Sequence, residues 1–563
     1  MTDPTAAERI ALVADPGSFV AWDESVVSTD PLGFADAEPY GRRLAHARER
    51  TGRAEAVVCG QATVDGRACA LVVSEFGFLG GSIGVATGER IARALDRACT
   101  KRLPVVALTA SGGTRMQEGS IALVQMAKTA AAARRLREAG LPYLVCLCHP
   151  TTGGVLASWG SLGSVTFASP GALVGFVGPR VAKLMAGHEL PVGVQTAENM
   201  LAHGLVDDLV APGDLRERVA RVLAVALGGP AAPGPSAAAP APVEPVAPGD
   251  AWASLRHARD PDRPAARDLL GAWAEDVTVL RGDGAGSDDP SCLAALARLR
   301  GVPAVVIAQD RDRERRRPAT MTPAGYRKAR RAMALAEELD LPLVTFVDTP
   351  GAAVGAEAEE GGLAAEIARC LADLSGLRVP TLALLAGEGG SGGALALLVA
   401  DRVLCAEHGS LSAIAPEGAS AILYRDVEHA GELAAAQAIA SWELRRFGIV
   451  DEIVPEPVPA AADPAGFAAR AGAAVQRELR ALAAADRGAR LAAREARYRE
   501  VGSAGPAAPL VLPEPAPLVG EPEGGESHHD GGELDRLARV DHPERGEEDE
   551  QDHDRGASGP EGV

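Results

Sequence analysis

At 563 residues the chain is too long for one ordinary domain, and its 47% hydrophobic content can fill two cores. A formal net charge of −20 excludes a general nucleic-acid binder, which needs a basic face, and no run reaches the ~18 apolar residues of a membrane span. Aromatics are scarce at 3% while Ala, Val, Leu and Gly dominate, a composition suited to helices lying close against parallel strands.

In chain order, the opening "MTDPTAAERIALV" lacks the basic and apolar regions of a secretory signal, so a cytoplasmic location is expected. "LPVVALTASGG" (103–113) reads as a β-branched strand ending in a glycine turn, and "SIALVQMAKTAAAARRLREAG" (120–140) has helical spacing. "LPYLVCLCHPTTGGVLASW" (141–159) is a second strand followed by Gly-Gly and a helix. "GGPAAPGPSAAAPAPVEPVAPGD" (228–250) is almost wholly Ala, Pro and Gly and reads as a tether. Beyond it come "TPAGYRKARRAMALAEELD" (322–340), a helix with Thr322 as N-cap and Pro323 at its first position, then the strands "LPLVTFVDTPG" (341–351) and "VPTLALLAGEGGSGGALAL" (379–397). From residue 503 the chain turns Pro- and Gly-rich and then acidic ("GEEDEQDHD", 546–554), so a disordered tail is expected over 503–563. The folded parts are thus 1–227 and 251–502.

These two parts repeat one plan. The turn–strand–turn landmarks recur, "GLVDDLV" (204–210) matches "GIVDEIV" (448–454), and Gly112 to Gly153 spans 41 residues, as does Gly351 to Gly392. Strands alternating with helices predict a duplicated α/β domain with parallel strands.

"GEGGSGG" (387–393) holds five glycines, and Gly387, Gly389 and Gly392 fit the G-x-G-x-x-G of a dinucleotide turn. The matching turn of the first half, "PTTGGV", has no such pattern, which argues against that reading. What both halves keep is Gly153-Gly154 and Gly392-Gly393 at a helix start. Backbone N–H groups there are unpaired and sit at the positive end of the helix dipole, so they can form an oxyanion hole. Gly112-Gly113 and Pro350-Gly351 are candidate second donors. A lone Gly-Gly step is explained by a tight turn or close packing; a matched pair in a duplicated domain favours chemistry.

Other candidates are weaker. Ser111 and Ser391 lack the G-x-S-x-G elbow. His149 reads equally as a turn residue or an acid–base group. "RDRERRRPATM" (311–321) is a solvated loop or an anion site, and "SHHD" (527–530) a polar run within the tail. The eight cysteines include no C-x-x-C pair, which points to buried free thiols and no zinc ribbon. Two oxyanion holes without a side-chain base imply that substrate or cofactor supplies the base.

The longer motifs carry a resemblance. "FLGGSIGVATGERIARALDRA", "ASGGTRMQEGSIALVQMAKTAAA" and "PGALVGFVGPRV" resemble the β subunit of the carboxyltransferase of bacterial acetyl-CoA carboxylase. "LRGDGAGSDDP", "MTPAGYRKARRAMALAEELDLPLVTFVDTPGA", "GEGGSGGALAL" and "IAPEGASAILY" resemble its α subunit. The chain looks like a β–α fusion. The resemblance implies two tandem crotonase-like β-β-α superhelix domains, the first on the acyl-CoA side and the second on the biotin side. It implies transfer of a carboxyl group from carboxybiotin, on a separate carrier protein, to acetyl-CoA in fatty acid biosynthesis. CO2 is released in a dry pocket, the biotin ureido anion takes the α-proton, and the thioester enolate attacks CO2. Gly153 and Gly154, helped by Gly112 and Gly113, would hold the enolate oxygen. Gly392 and Gly393, with Gly351, would hold the ureido oxygen, and Gly389, Gly390, Ser391 and Pro350 would line the biotin side. The implied partners are a biotin carboxyl carrier protein, a biotin carboxylase and further copies of the chain in a homodimer or higher oligomer; no metal is implied.

The chain departs from the family pattern at Ala353 and Val354, where Tyr-Pro is usual, and at Leu363, where glutamine is usual. Alternatives are another acyl-CoA such as propionyl-CoA, a malonyl decarboxylase, or a non-catalytic assembly subunit.

Overall fold

The computed structural model describes residues 3–22, 25–228, 247–312, 317–318 and 320–501. The acidic tail, "SHHD" and most of the Ala/Pro tether therefore lie outside the described residues.

Each half builds one sheet. The first contains β1 (Val20–Ala21), β2 (Val57–Val64), β3 (Arg67–Ser74), β4 (Val105–Ser111), β5 (Tyr143–Thr152), β6 (Val165–Ala168), β7 (Val174–Gly175) and β8 (Asp208–Leu209). The second contains β9 (Ala274–Leu280), β10 (Cys292–Leu299) and β11 (Val302–Gln309). After a short hairpin of β12 (Arg311–Asp312) and β13 (Arg317–Pro318) it continues with β14 (Leu343–Thr349), β15 (Thr381–Gly390), β16 (Arg402–Ala406), β17 (Ser410–Ser412) and β18 (Glu452–Val454).

The strand orders match one for one: β1-β2-β3-β4-β5-β6-β8 with β7 on β5, and β9-β10-β11-β14-β15-β16-β18 with β17 on β15. Each sheet begins with three antiparallel strands, β1–β2–β3 or β9–β10–β11, and runs parallel from the third to β8 or β18. The hairpin turns, Asp65-Gly66 and Arg300-Gly301, both place two residues at positive φ, as a two-residue turn between right-twisted strands requires. This is the duplicated, parallel-rich α/β fold expected from the sequence.

Every residue of β4 and β14 is buried. Strands covered on both faces lose the polar alternation of an exposed sheet, which is why their sequences are almost continuously apolar. The helices between them cover the sheets: Val85–Lys101 and Gly119–Glu138 in the first half, Pro323–Leu339 and Leu363–Gly376 in the second. Thr322 stands at the N-cap of Pro323–Leu339, but its hydroxyl makes no capping bond and instead donates to Asp289 Oδ2 at 2.7 Å.

The halves share a core. Val219, Val222, Leu223 and Val225 of the helix Leu215–Ala226 pack in one cluster with Leu280, Cys292, Ala294 and Leu296 of the second sheet. Cys146 and Cys148, two apart on β5, join the same cluster, so both point to one face as their alternation predicts. All eight cysteines are free thiols, and seven are buried. Leu363 is buried in this cluster too, in the first position of its helix, while Val354 stands exposed in the loop before the short helix Ala356–Glu360. No helix among the described residues is long and apolar enough to cross a membrane.

Candidate active site

Where β4 ends at Ser111, the chain turns through Gly112 and Gly113 and meets the start of the helix Gly153–Leu156, which follows β5 without a break. A Cβ placed on Gly113 would lie 3.2 Å from Gly153 Cα and 3.3 Å from Gly154 N. On Gly154 it would lie 2.3 Å from Thr114 Oγ1. The two turns are in contact, and only glycine permits it.

The second half repeats this contact more tightly. A Cβ on Gly390 would lie 1.9 Å from Pro350 O, and one on Gly393 2.6 Å from Ala352 N. On Gly389 it would be 2.8 Å from Ser410 O, and on Gly387 2.4 Å from Asp348 Oδ1. Four of the five glycines in "GEGGSGG" are therefore set by separate close approaches, with no dinucleotide geometry needed. Gly392 is different: its Cβ would meet only Ile367 Cγ2, at an ordinary 3.6 Å.

The structural register between the halves sits one residue away from the spacing match. The ladder pairs Ser111 with Thr151 and Thr349 with Gly389. Gly113 donates its amide to Ser111 Oγ at 3.0 Å, and Gly351 donates to Thr349 Oγ1 at 3.3 Å. Gly153 and Ser391 share φ values of 58° and 56° at the first helical position. So Gly113 corresponds to Gly351, Gly153 to Ser391, and Gly154 to Gly392. The spacing of 41 residues survives as Gly113–Gly154 and Gly351–Gly392.

Donor accounting separates the candidate residues. The Gly112 amide donates to Gly80 O at 2.8 Å, and those of Gly113 and Gly351 meet the hydroxyls just named, so these three shape the turns. Gly154, Gly392 and Gly393 lie in the first turn of their helices, where no carbonyl four residues back within the helix can accept from them. The helices are only 4 and 5 residues long, so their macrodipoles are small and the amides act as individual donors. Gly389 and Gly390 belong to the β15–β17 ladder, whereas Pro350 and Ser391 are exposed beside them. Behind Gly393, its carbonyl accepts from Gln309 Nε2 at 2.8 Å and from Tyr326 OH at 3.3 Å.

His149 lies on β5, near its end, and its Nδ1 accepts the Leu173 amide at 3.1 Å. Arg311 pairs with Asp348, while residues 313–316 and 319 of the arginine run lie outside the described residues. Among the described residues no group of three or more His, Cys, Asp or Glu is placed to hold a metal ion.

One network beside the first turn escaped the sequence reading. Arg115, fully buried, pairs with Glu55 at 2.7 Å and Glu118 at 3.4 Å. It also donates to Ser28 Oγ at 2.7 Å, Ser82 O at 2.7 Å and Thr87 Oγ1 at 3.1 Å. Burial alone would raise the Glu55 carboxyl, but Arg115 outweighs it and holds Glu55 below the usual carboxylate range. The backbone of this network is zipped to the site, since Ile83 N donates to Gly113 O at 2.8 Å and Arg115 N to Ile83 O at 2.9 Å.

Residues 248–502 match the family described as acetyl co-enzyme A carboxylase carboxyltransferase-like. Over 490 residues the chain is 51% identical to a protein of Mycobacterium tuberculosis named a probable biotin-dependent acyl-coenzyme A carboxylase beta3 subunit, covering 87% of this chain and 97% of that one. It belongs to the carboxyltransferases of biotin-dependent acyl-CoA carboxylases. A Salinispora arenicola protein named acetyl-coenzyme A carboxylase carboxyl transferase subunits beta/alpha is 47% identical over 469 residues, covering 81% of this chain and 83% of the relative. In fold the chain is similar to the crystal structure of transcarboxylase 12S, with a TM-score of 0.64 and 23% identity over 83% of this chain and 89% of that one. This places the two halves of the carboxyltransferase in the crotonase-like fold class.

Proposed function

We propose that this carboxyltransferase moves a carboxyl group from biotin, held on a separate carrier protein, to acetyl-CoA, giving malonyl-CoA. The observation that carries the reading is the doubled glycine contact in a chain of this family: each half brings a turn against a helix start whose amides lack helical acceptors. The carrier's biotin supplies the carboxyl group and a nitrogen base once that group has left. The protein's own part is then orientation and charge stabilisation. The Gly154 amide, with Gly153 beside it, donates to the thioester oxygen as it gains negative charge; Gly392 and Gly393 do the same for the biotin ureido oxygen. Gly113 and Gly351 hold the facing turns so that these donors converge without reorganisation, which is the source of their catalytic value. Gly389, Gly390, Ser391 and Pro350 form the wall of the second site.

The chain is read as a fusion of a β-type domain (1–227) and an α-type domain (251–502). Its partners are a biotinylated carrier, the biotin carboxylase that loads it, and a second copy of the chain. The last is supported by exposed apolar side chains in each half, Phe176, Leu184 and Met185 in the first and Val354 and Ile422 in the second. A hexamer is described for the structurally similar transcarboxylase 12S. A cytoplasmic, lipid-synthetic role is consistent with the substrate.

A second reading has its own support. The 51% identical mycobacterial relative is named for acyl-coenzyme A, and the transcarboxylase structure holds methylmalonyl-CoA, both compatible with a larger acyl group such as propionyl. Purified chain mixed with carboxylated, labelled carrier and acetyl-, propionyl- or butyryl-CoA decides between them. Transfer to acetyl-CoA with the highest kcat/KM supports the first reading, and preference for a longer acyl group supports the second. Failure with all three favours a non-catalytic assembly role.

A further inference from the structure

The second site rests on a pair of buried carboxylates that the first site lacks. Asp348 is the residue before Thr349 at the end of β14, and Glu388 precedes Gly389 on β15; both side chains are almost wholly buried. Asp348 Oδ1 accepts the Glu388 amide at 3.1 Å, and its carboxylate occupies the place where a Cβ on Gly387 would be. The two turns that form the site are thus joined through one side chain. By the register established above, the positions matching Asp348 and Glu388 in the first half are Ala110 and Pro150. The same fold stands there without either acid, so the pair is not a requirement of the fold.

Each acid is held by an arginine. Arg311 Nε donates to Asp348 Oδ2 at 2.7 Å, and its two terminal nitrogens donate to Ala258 O at 2.7 Å and Asp260 O at 2.8 Å. Arg259 forks onto Glu388, with Nη2–Oε1 at 2.6 Å and Nε–Oε2 at 3.0 Å, and reaches Glu417 with Nη1. A bidentate guanidinium–carboxylate pair fixes direction as well as distance. Ala258, Arg259 and Asp260 close the helix Ala251–Ala258, the first element after the tether, capped at its start by Asp250. Two arginines therefore connect this helix to both turns of the second site.

We propose that Arg259 and Arg311, acting through Glu388 and Asp348, are positioning residues of the biotin-side oxyanion site. They hold the Pro350–Ala352 turn and the Gly389–Gly393 turn in the relation that aims the Gly392 and Gly393 amides. They also compensate the negative charge of two carboxylates lying directly behind a site that must stabilise an anion. This inference rests on the biotin-side assignment for its catalytic consequence, but its structural content is independent of that assignment.

The test uses the full chain and the variants R259Q, R259K and D348N. Hydrogen exchange is read over 384–398 and over the matching first-half segment 146–160. R259Q and D348N are expected to speed exchange in 384–398 at least tenfold and to leave 146–160 unchanged, with R259K intermediate because lysine can meet only one of two carboxylates. In the transfer assay, R259Q is expected to lower kcat at least tenfold with the acyl-CoA KM within twofold of wild type. Unchanged exchange over 384–398 in both R259Q and D348N overturns the proposal, whatever the activity. Equal acceleration in both segments also overturns it, since that marks general destabilisation. An inactive wild type with the expected exchange pattern removes the functional reading and keeps the positioning role. If R259Q fails to fold, R259K carries the same comparison, because Arg259 is partly exposed and lysine keeps its charge.

Discussion

Arg331 of the second half reaches the buried Asp207 of the first, with Nη2 3.0 and 3.1 Å from its two carboxylate oxygens. The same carboxylate accepts the Thr166 amide at 2.8 Å and the Arg281 amide at 3.0 Å, so one side chain joins β6, the end of β9 and a covering helix. D207N keeps the shape and removes the charge. Because Arg331 is partly solvated, the expected loss is about 2–3 kcal/mol, below that of a fully buried pair. Thermal unfolding should shift down by several degrees while kcat of folded protein stays within twofold; a lost kcat at unchanged melting temperature would assign Asp207 to the site instead.

Asp207 also shows what the sequence could and could not disclose. "GLVDDLV" and "GIVDEIV" are visible repeats, and Asp451 repeats the bond, accepting the Val403 amide at 2.7 Å as Asp207 accepts that of Thr166. Long strands buried on both faces announce themselves as apolar runs, so β4, β5, β14 and β15 and the duplication were legible. The two- and three-residue strands β7 and β17 carry no periodicity, and the register of the halves had to come from hydrogen bonds. The pairs Arg115–Glu55 and Arg259–Glu388 join residues 60 and 129 apart, and charge partners at such distances leave no local pattern. The glycine sites were legible because close approach needs that residue at a fixed place in the motif.

Gly392 and Gly393 separate packing from chemistry. G393A forces a Cβ to 2.6 Å from Ala352 N, which is backbone and cannot yield cheaply, whereas G392A adds only an ordinary contact. G393A should lose transfer activity about 100-fold, near the ~3 kcal/mol typical of one oxyanion donor, with acyl-CoA affinity within twofold. G393V should abolish transfer with CoA affinity again retained, and G392A should keep at least a tenth of wild-type kcat. Parallel loss of CoA affinity in the Gly393 variants would exchange the roles assigned to the two halves.

Ser391 occupies the left-handed region at φ 56°, where its first-half counterpart is Gly153. A non-glycine residue there costs about 1–2 kcal/mol, part of which a glycine recovers against its own greater unfolded-state entropy. S391G is therefore expected to raise stability by up to about 1 kcal/mol in denaturant titration and to transfer at near wild-type rate. A tenfold drop in kcat would give the exposed Ser391 hydroxyl a direct part in the reaction.

Burial pushes the thiols of Cys59, Cys69 and Cys292 up to about 12 and that of Cys146 well above its usual value. Only Cys99 is partly exposed, and burial with the nearby Asp96 raises it as well. A thiol reagent at pH 8 should thus modify one cysteine per native chain slowly and all eight after denaturation. Rapid modification of two or more in the native protein would contradict the shared core that covers β5 and β10.

Acid stability should fall in two steps with different owners. Burial lowers His408, so protons bind the unfolded chain more tightly, and stability begins to decline gently as pH drops below the ordinary histidine value of 6.5. Glu55 and Glu456 behave differently. Burial alone would raise both, but their fully buried partners Arg115 and Arg263 bring them below the ordinary 4.5, so their stabilisation persists until pH falls under that value. The melting temperature should accordingly be flat from pH 8 to 7, decline slightly towards pH 5 and drop steeply below about 4.5. H408Q should remove the shallow decline and leave the steep one. E456Q should melt lower at neutral pH, because Arg263 loses its partner inside the protein, and show a weaker acid step. A melting temperature that stays level or rises as pH falls below about 4.5 in wild type would mean that these two carboxylates do not hold their protons off in the folded chain.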